Sequence, residues 1–140
     1  METLIYLDSN IYIDYFDNRT DYLRPLGEFA FELIRRAISC EFKIIFSGVA
    51  AEELEYNGCS EQLSILLKRL KECDKLIFVE GEDADFQEAR KLAHERDCSF
   101  NDALHAVLAH KTNAAYLVTR NIKHLQKFSD MARIVYPENI

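Results

Sequence analysis

The chain has 140 residues and 49% of them are hydrophobic, which predicts a single compact domain over residues 1–140 and excludes a disordered chain. The net charge of -7 argues against a protein that coats nucleic acid through a broad basic face, but it is compatible with a site built from carboxylates. No apolar run approaches the about 20 residues of a membrane helix, and the first residues, METLIYLD, lack the basic start of a signal peptide, so a cytoplasmic protein without a membrane segment is expected.

Short apolar runs along the chain predict the strands of a buried sheet. The runs are rich in Ile, Val, Phe and Tyr, residue types that suit a pleated surface. They are continuous rather than alternating, which is typical of a parallel sheet covered on both faces. The predicted strands are residues 4–7, 43–46, 76–79, 115–118 and 133–136.

Helical patterns lie between these runs. Pro25 suits the first turn of a helix that continues to about residue 38, and its apolar residues follow the i, i+3, i+4, i+7 spacing. Ser60 begins a second long helix, and residues 83–95 and 101–110 predict two more. Strands that alternate with helices predict an α/β fold with a parallel sheet of four or five strands. In such sheets, ligands bind at the carboxyl ends of the strands.

Polar side chains follow these strand ends. The first strand leads into one acid, the helix after the second strand carries two, and the helix before the fourth strand carries one in its first turn. The fourth strand leads into a hydroxyl and an amide. In chain order these residues are Asp8, Glu52, Glu53, Asp102, Thr119 and Asn121.

Carboxylates gathered at one sheet edge suit a particular chemistry. Mg²⁺ and Mn²⁺ prefer oxygen ligands, and such an ion activates a bound water and offsets the charge that builds on a phosphate. The chain has neither a GxxxxGK[ST] phosphate loop nor a GxSxG nucleophile motif. The pattern therefore favours metal-assisted phosphodiester hydrolysis.

Each acid also has a purely structural interpretation. Asp8 could cap the helix that follows the first strand. Glu52 and Glu53 lie early in a helix, where acids interact favourably with the helix dipole. Ser99 and Asp102 match a capping box. The functional interpretation is favoured because all these acids fall at the same predicted edge.

Histidines and cysteines are not expected to build this site. His105 and His110 are five residues apart, or about 140° around a helix, so they do not share a face as paired ligands would. We expect both on the surface or partly packed. The four cysteines lack CxxC spacing and a histidine at zinc-finger spacing, which predicts buried, reduced thiols.

Several strings together resemble the PIN-domain family of nucleases, especially the toxins of VapBC-type toxin–antitoxin pairs. The strings are LDSN, the pair Glu53-Leu54, NDALHA, and LVTRNIKHL with a late strand before Pro137, and they cover almost the whole chain in order. The resemblance implies a three-layer α/β/α fold and cleavage of RNA that depends on Mg²⁺ or Mn²⁺. It also implies a small antitoxin protein as partner, and a homodimer.

The resemblance assigns roles to residues. The family's three acids fall on Asp8, Glu53 and Asp102, as catalytic residues and metal ligands, with Glu53 chosen over Glu52 because a leucine follows it. Neighbouring residues point about 100° apart around a helix, so Glu52 remains an alternative to Glu53 as the metal ligand. The family's fourth acid falls on Asn121, counted as catalytic although it lacks one negative charge. Further out, Asn10 and Thr119 are expected to support the metal ligands or a water.

The substitution at Asn121 weakens the argument for a second metal ion, because fewer charges bind a divalent ion less tightly. Asn121 could also cap a helix over residues 122–128. The alternative function is a catalytically weak PIN-like module that binds RNA or protein without cleaving it. Basic residues after the fourth strand either contact RNA phosphates or form a solvated helix face. They are Arg120, Lys123, His124 and Lys127.

Overall fold

The computed structural model describes residues 2–18 and 23–140 of the chain. Its centre is a five-stranded sheet in the order β3-β2-β1-β4-β5, and every neighbouring pair of strands is parallel. The five predicted strands are confirmed to within about one residue at most ends. The strands are β1 Thr3–Leu7, β2 Phe42–Ser47, β3 Leu76–Val79, β4 Tyr116–Val118 and β5 Arg133–Val135.

In the part of the chain that the structure describes, seven α-helices connect and cover these strands, and the four long helices predicted from the sequence are confirmed. The helices are α1 Ser9–Asp17, α2 Leu26–Ile38, α3 Gly48–Tyr56, α4 Ser60–Glu72, α5 Asp83–Glu95, α6 Phe100–Lys111 and α7 Ile122–Leu125, with 3₁₀ turns at Gln126–Phe128 and Pro137–Asn139. The predicted helix over residues 122–128 is thus α7 followed by a 3₁₀ turn.

The sheet has a separate apolar core on each face, which makes the fold a three-layer α/β/α sandwich. Ile5 and Leu7 of β1 pack into the core that contains α1, α2 and α4. Tyr6 lies between them in sequence and packs into the opposite core, with α5 and α6. This alternation follows from the two-residue period of a strand, and it explains why the strands are continuous apolar runs.

Two cysteines correct the prediction of buried thiols. All four cysteines are free, but Cys40 and Cys73 are exposed, whereas Cys59 is buried and Cys98 is partly buried. Cys40 and Cys73 lie just beyond the carboxyl ends of α2 and α4, where the chain turns at the surface. Within the described residues, no helix combines the length and the hydropathy needed to cross a bilayer.

Three helices begin at the carboxyl edge of the sheet, and polar side chains cap two of them there. Asp8 follows β1 and accepts a hydrogen bond from the Ser9 N–H at the start of α1. Ser47 ends β2 and caps α3 through the Ala50 N–H. α7 follows β4 after a short turn. The polar residues predicted to follow the strands therefore meet at one edge.

Candidate functional site

A compact group of ligand atoms lies at this edge. Single atoms of Asp8, Glu53 and His105 all lie within 4.8 Å of one another. Asp8 follows the central strand, Glu53 lies on the helix after the neighbouring strand, and His105 lies on α6. Three separate parts of the fold therefore converge here: the junction of β1 and α1, helix α3 and helix α6.

Asp8 is only 6% exposed and its carboxylate is held from several directions. Oδ1 accepts from the Ser9 N–H at 2.7 Å. Oδ2 accepts from the Thr119 hydroxyl at 2.9 Å and from Asn10 Nδ2 at 3.3 Å. Asp8 thus caps α1 and also lies in the ligand cluster, so the two interpretations of this residue are compatible.

Asn10 and Thr119 lie where the sequence placed them, around the Asp8 carboxylate. Besides donating to Asp8, the buried Thr119 hydroxyl accepts from Asn10 Nδ2 at 3.3 Å and from the Asn121 N–H at 2.9 Å. Asn10 Oδ1 accepts from the Arg120 N–H at 3.2 Å, which links α1 to the turn after β4. This network fixes the orientation of Asp8.

Glu53, and not Glu52, points into the cluster. Glu52 is exposed, whereas Glu53 is half-buried and hydrogen-bonded at both carboxylate oxygens. Its Oε1 lies 2.6 Å from His105 Nε2, and its Oε2 accepts from Asn101 Nδ2 at 3.2 Å. Burial opposes ionisation of Glu53, but the hydrogen bond and charge of His105 outweigh it, so the pKa of Glu53 lies below its ordinary value.

His105 corrects the expectation that both histidines lie on the surface or are only partly packed. The His105 side chain is only 1% exposed and contacts the acids, while His110 is exposed as predicted. Burial alone would lower the pKa of His105, but the charges of Asp8, Glu53 and Asp102 raise it above the ordinary value. The signal was present in the sequence: His105 follows Asp102 by three residues, which places both on the same face of a helix.

The other ring nitrogen of His105 faces a buried hydroxyl chain. His105 Nδ1 lies 2.6 Å from the Tyr6 hydroxyl, which lies 2.6 Å from Ser47 Oγ. Ser47 Oγ accepts from the Ala50 N–H at 3.2 Å. Burial raises the pKa of Tyr6 well above its ordinary value, so the phenol stays protonated. The imidazole is therefore fixed from both sides.

Asp102 lies beside the compact cluster and is not part of it. The Ser99 hydroxyl accepts from its N–H at 3.1 Å, as the predicted cap requires. Burial and the negative charge of Asp8 raise the pKa of Asp102 above its ordinary value.

Asn121 contacts Asp8 only indirectly, through the Thr119 hydroxyl. Its side-chain Nδ2 lies 3.1 Å from His124 Nδ1, and His124 lies 3.9 Å from the Asp102 carboxylate. Within the described chain, the Asn121 side chain makes no capping hydrogen bond to α7. Asn121 is nevertheless the N-cap residue of α7, as the capping interpretation predicted, and its backbone carbonyl accepts from the Leu125 N–H.

Arg120 is not placed as a phosphate contact. Its side chain is 11% exposed and forms an ion pair with Glu138 at 2.7 Å. It also lies 3.5 Å from Asp14 and packs over the rings of Phe29 and Tyr136. The guanidinium therefore has a structural role, because it connects Glu138 near the carboxyl terminus with Asp14 of α1 and Phe29 of α2.

The two lysines for which RNA contact was one of two alternatives differ in their surroundings. Lys123 and Lys127 are both exposed. Lys127 Nζ donates to the Asp97 carbonyl at 2.6 Å, which holds its charge against the loop after α5. Lys123 therefore presents an accessible positive charge on this turn, and the exposed His124 lies next to it beside Asn121 and Asp102.

The two neighbouring glutamates allow a matched test of the cluster. Glu53→Gln is expected to weaken Mn²⁺ binding by about 10- to 100-fold, because it removes a charge from among the candidate ligands. Glu52→Gln removes the same charge one residue away, at an exposed position, and is expected to bind Mn²⁺ as the unmodified protein does. Calorimetric titration of both variants measures the difference. Equal losses would show that general charge, and not ligand position, sets the affinity.

Comparisons with known proteins agree with this architecture. The family described as PIN domain matches residues 5–133. VapBC-1 from nontypeable Haemophilus influenzae is similar in structure at 19% identity and a TM-score of 0.66, over 97% of this chain and 99% of that chain. VapBC2 from Rickettsia felis, bound to a DNA fragment from its promoter, has 19% identity and a TM-score of 0.63 over 96% and 99%. FitAcB from Neisseria gonorrhoeae has 16% identity and a TM-score of 0.61 over 97% and 99%. No curated protein matches the chain.

Proposed function

The chain belongs to the PIN domain family, and from this premise we propose that it is a metal-dependent endoribonuclease that hydrolyses RNA phosphodiester bonds. The observation that carries the proposal is the convergence of Asp8, Glu53 and His105 within 4.8 Å at the carboxyl edge of the sheet. Asp102 adds a third carboxyl, which the charge of Asp8 influences.

The donor set fits a hard divalent cation. Asp8, Glu53 and Asp102 offer carboxylate oxygens, the ligands that Mg²⁺ and Mn²⁺ prefer. Burial makes the mutual repulsion of these carboxylates costly, and a cation relieves it. We propose that these three residues hold the ion, with the Asn121 amide oxygen as a neutral contributor. When bound, the ion lowers the pKa of a water and offsets the charge that builds on the scissile phosphate.

The protein's own residues prepare the site before the ion arrives. Thr119, Asn10 and the Ser9 N–H fix the Asp8 carboxylate, so it loses little freedom when it becomes a ligand. His105 and Asn101 do the same for Glu53. Lys123, exposed on the adjoining turn, is placed to attract an RNA phosphate toward the acidic cluster.

Asn121 favours a site with one metal ion over a site with two. The presence of an amide at this position also supports the alternative function, a module that binds RNA or protein without cleavage. With an amide where the family has its fourth acid, the site holds one charge fewer for a second cation. A module that binds RNA or protein without cleavage need not take up Mn²⁺ at Asp8 and Asp102. Mn²⁺ binding with a defined stoichiometry therefore separates the enzyme from the binding module.

We further propose that the chain is the toxin of a toxin–antitoxin pair. VapBC-1 and the complex from Klebsiella pneumoniae, a toxin-antitoxin complex with a TM-score of 0.61, support this role by their shared fold. An apolar cavity of about 400 Å³, lined in part by Phe16, Phe31 and Ile65, offers a surface for an antitoxin segment. The proposal includes a homodimer. Its compartment is the cytoplasm, where the four free thiols would remain reduced.

Without metal, the repulsion between the Asp8 and Asp102 carboxylates is expected to lower the stability of the folded protein. The pKa of Asp102 is raised in the folded protein, so protonation of Asp102 stabilises the fold. This stabilisation is fully present below the ordinary pKa of 3.8 and is lost as the pH rises through the folded pKa. At pH 7, Asp102→Asn should therefore melt roughly 2–4 °C higher than the unmodified protein without metal. The difference should shrink as the pH falls.

Added Mn²⁺ is expected to reverse this order, because a bound ion stabilises the folded state and the variant has lost a ligand. Circular dichroism melting curves with and without Mn²⁺, at several pH values, measure both effects. A lower melting temperature of Asp102→Asn without metal at pH 7 would contradict the proposed electrostatic cost.

Cleavage of a mixed set of single-stranded and structured RNAs tests the function itself. We expect purified protein, free of any partner, to cut RNA with Mn²⁺ or Mg²⁺, to stop with EDTA, and to resume when excess Mn²⁺ is restored. Calorimetry on the same preparation gives the stoichiometry of Mn²⁺ binding. Neither cleavage nor Mn²⁺ uptake would favour the non-cleaving module.

A further inference from the structure

We propose that His105 is a positioning residue that donates its Nε2–H to Glu53 and is itself fixed by the buried hydroxyl chain of Tyr6 and Ser47. The inference rests on the proposed function, in which Glu53 holds a divalent ion. His105 is thereby assigned a role beside the metal site and not among the metal ligands.

The direction of the hydrogen bonds at Nε2 follows from its partners. His105 Nε2 lies 2.6 Å from Glu53 Oε1 and 3.4 Å from Asp8 Oδ1. Ionised carboxylates only accept hydrogen bonds, so Nε2 carries a proton. A bare Nε2 lone pair would face two negative oxygens in a buried site, which is strongly unfavourable.

The hydroxyl chain holds the ring in either charge state. With a neutral ring, Tyr6 donates to Nδ1 and accepts from Ser47; with a protonated ring, Nδ1 donates to Tyr6. In both cases Nε2–H continues to face Glu53. Tyr6 lies on β1, two residues before Asp8, and Ser47 caps the helix that carries Glu53. The chain of hydroxyl groups therefore connects the strand that leads to Asp8 with the helix that carries Glu53.

The result is a glutamate whose two oxygens are both oriented. Oε1 is held by His105 at 2.6 Å and Oε2 by Asn101 at 3.2 Å, and each oxygen retains a lone pair for an ion. The short distance between Nε2 and Oε1 also favours a hydrogen bond over shared coordination. Two neighbouring ligands of one octahedral ion at about 2.1 Å would lie about 3 Å apart.

Three variants and Mn²⁺ titration by calorimetry test this role. His105→Leu removes the donor, and we expect Mn²⁺ affinity to fall about 10- to 100-fold. His105→Gln places an amide N–H near the position of Nε2, and we expect affinity within about threefold of the unmodified protein. His110→Leu, on the exposed face of the same helix, is the control. Circular dichroism verifies that each variant is folded.

Two results would overturn the proposal. Unchanged Mn²⁺ affinity in folded His105→Leu would show that Glu53 needs no support from the ring. Equal losses in folded His105→Leu and His105→Gln would show that the imidazole itself is a ligand.

Nitrogen NMR of His105 tests the hydrogen bond without metal, and so applies even if the protein takes up no Mn²⁺ or if His105→Leu does not fold. We expect a protonated Nε2 in the unmodified protein. In Tyr6→Phe, which lacks the hydroxyl, we expect the Nδ1 resonance to shift because Nδ1 loses its hydrogen-bond partner, while Nε2 stays protonated against Glu53. A bare Nε2 in the unmodified protein, or a ring unaffected by Tyr6→Phe, would overturn the inference. If Nε2 is protonated but the protein binds no Mn²⁺, the proposed function is contradicted and the role of His105 toward Glu53 is not.

Discussion

Asp8→Asn is expected to reduce RNA cleavage by at least about 100-fold, more than the loss typical of a residue that only orients a ligand. Asp8 follows the central strand, is 6% exposed and lies in the compact group of ligand atoms with Glu53 and His105. The amide has no net charge, and the remaining acids bind a divalent ion less tightly. Cleavage rates at saturating Mn²⁺ and at limiting Mn²⁺ measure how much of the loss is weaker binding of the ion.

The same variant is expected to fold normally. Asparagine is as good a helix cap as aspartate, so its side-chain oxygen can still accept from the Ser9 N–H. Neutralising Asp8 also removes its repulsion of Asp102. The matched control is Asp74→Asn, an exposed aspartate in the loop before β3, at the opposite edge of the sheet. Cleavage by Asp8→Asn at the normal rate would mean that Asp8 serves the fold only as a cap.

The fold could be predicted because its main signals are local. Each strand is a short apolar run, since a parallel strand buries both faces, and each long helix carries its own apolar stripe. The edge that gathers Asp8 and Glu53 then follows from the parallel topology, because every strand points the same way. The choice of Glu53 over Glu52 came from the resemblance, and the structure agrees with it through the hydrogen bonds to His105 and Asn101.

The site residues that sequence reasoning misjudged depend on contacts between distant parts of the chain. His105 contacts Tyr6, 99 residues away, and Glu53, 52 residues away. Its burial is decided by the packing of α6 on the sheet, where the Tyr6 ring contacts it, and no local pattern reports this packing. The three-residue spacing between Asp102 and His105, which places both on one face of α6, is more informative than the spacing between His105 and His110. Arg120 was similarly judged by the basic residues beside it, although its partners lie on other elements.

Arg120→Met is expected to lower the free energy of unfolding by about 3 kcal/mol, because it breaks ion pairs of low exposure while keeping an unbranched apolar side chain. The guanidinium is 11% exposed and pairs with Glu138, and its positive charge lies 3.5 Å from the buried Asp14 carboxylate. Desolvated charges that lose a partner are costly, whereas exposed ion pairs contribute little. Urea unfolding followed by circular dichroism measures this change.

Lys123→Met is the matched comparison, since it removes the same charge from an exposed position three residues later. We expect Lys123→Met to leave stability within about 0.5 kcal/mol and to weaken RNA binding, with a smaller dependence on salt. Arg120→Met, assayed well below its melting temperature, should bind RNA as the unmodified protein does. If Arg120→Met instead lost RNA affinity and kept its stability, its guanidinium would have to leave Glu138 and Asp14 to reach the phosphate. The assignment of Arg120 to the fold would then be wrong, and the turn after β4 would act as a basic surface, which is one of the two alternatives that the sequence left open.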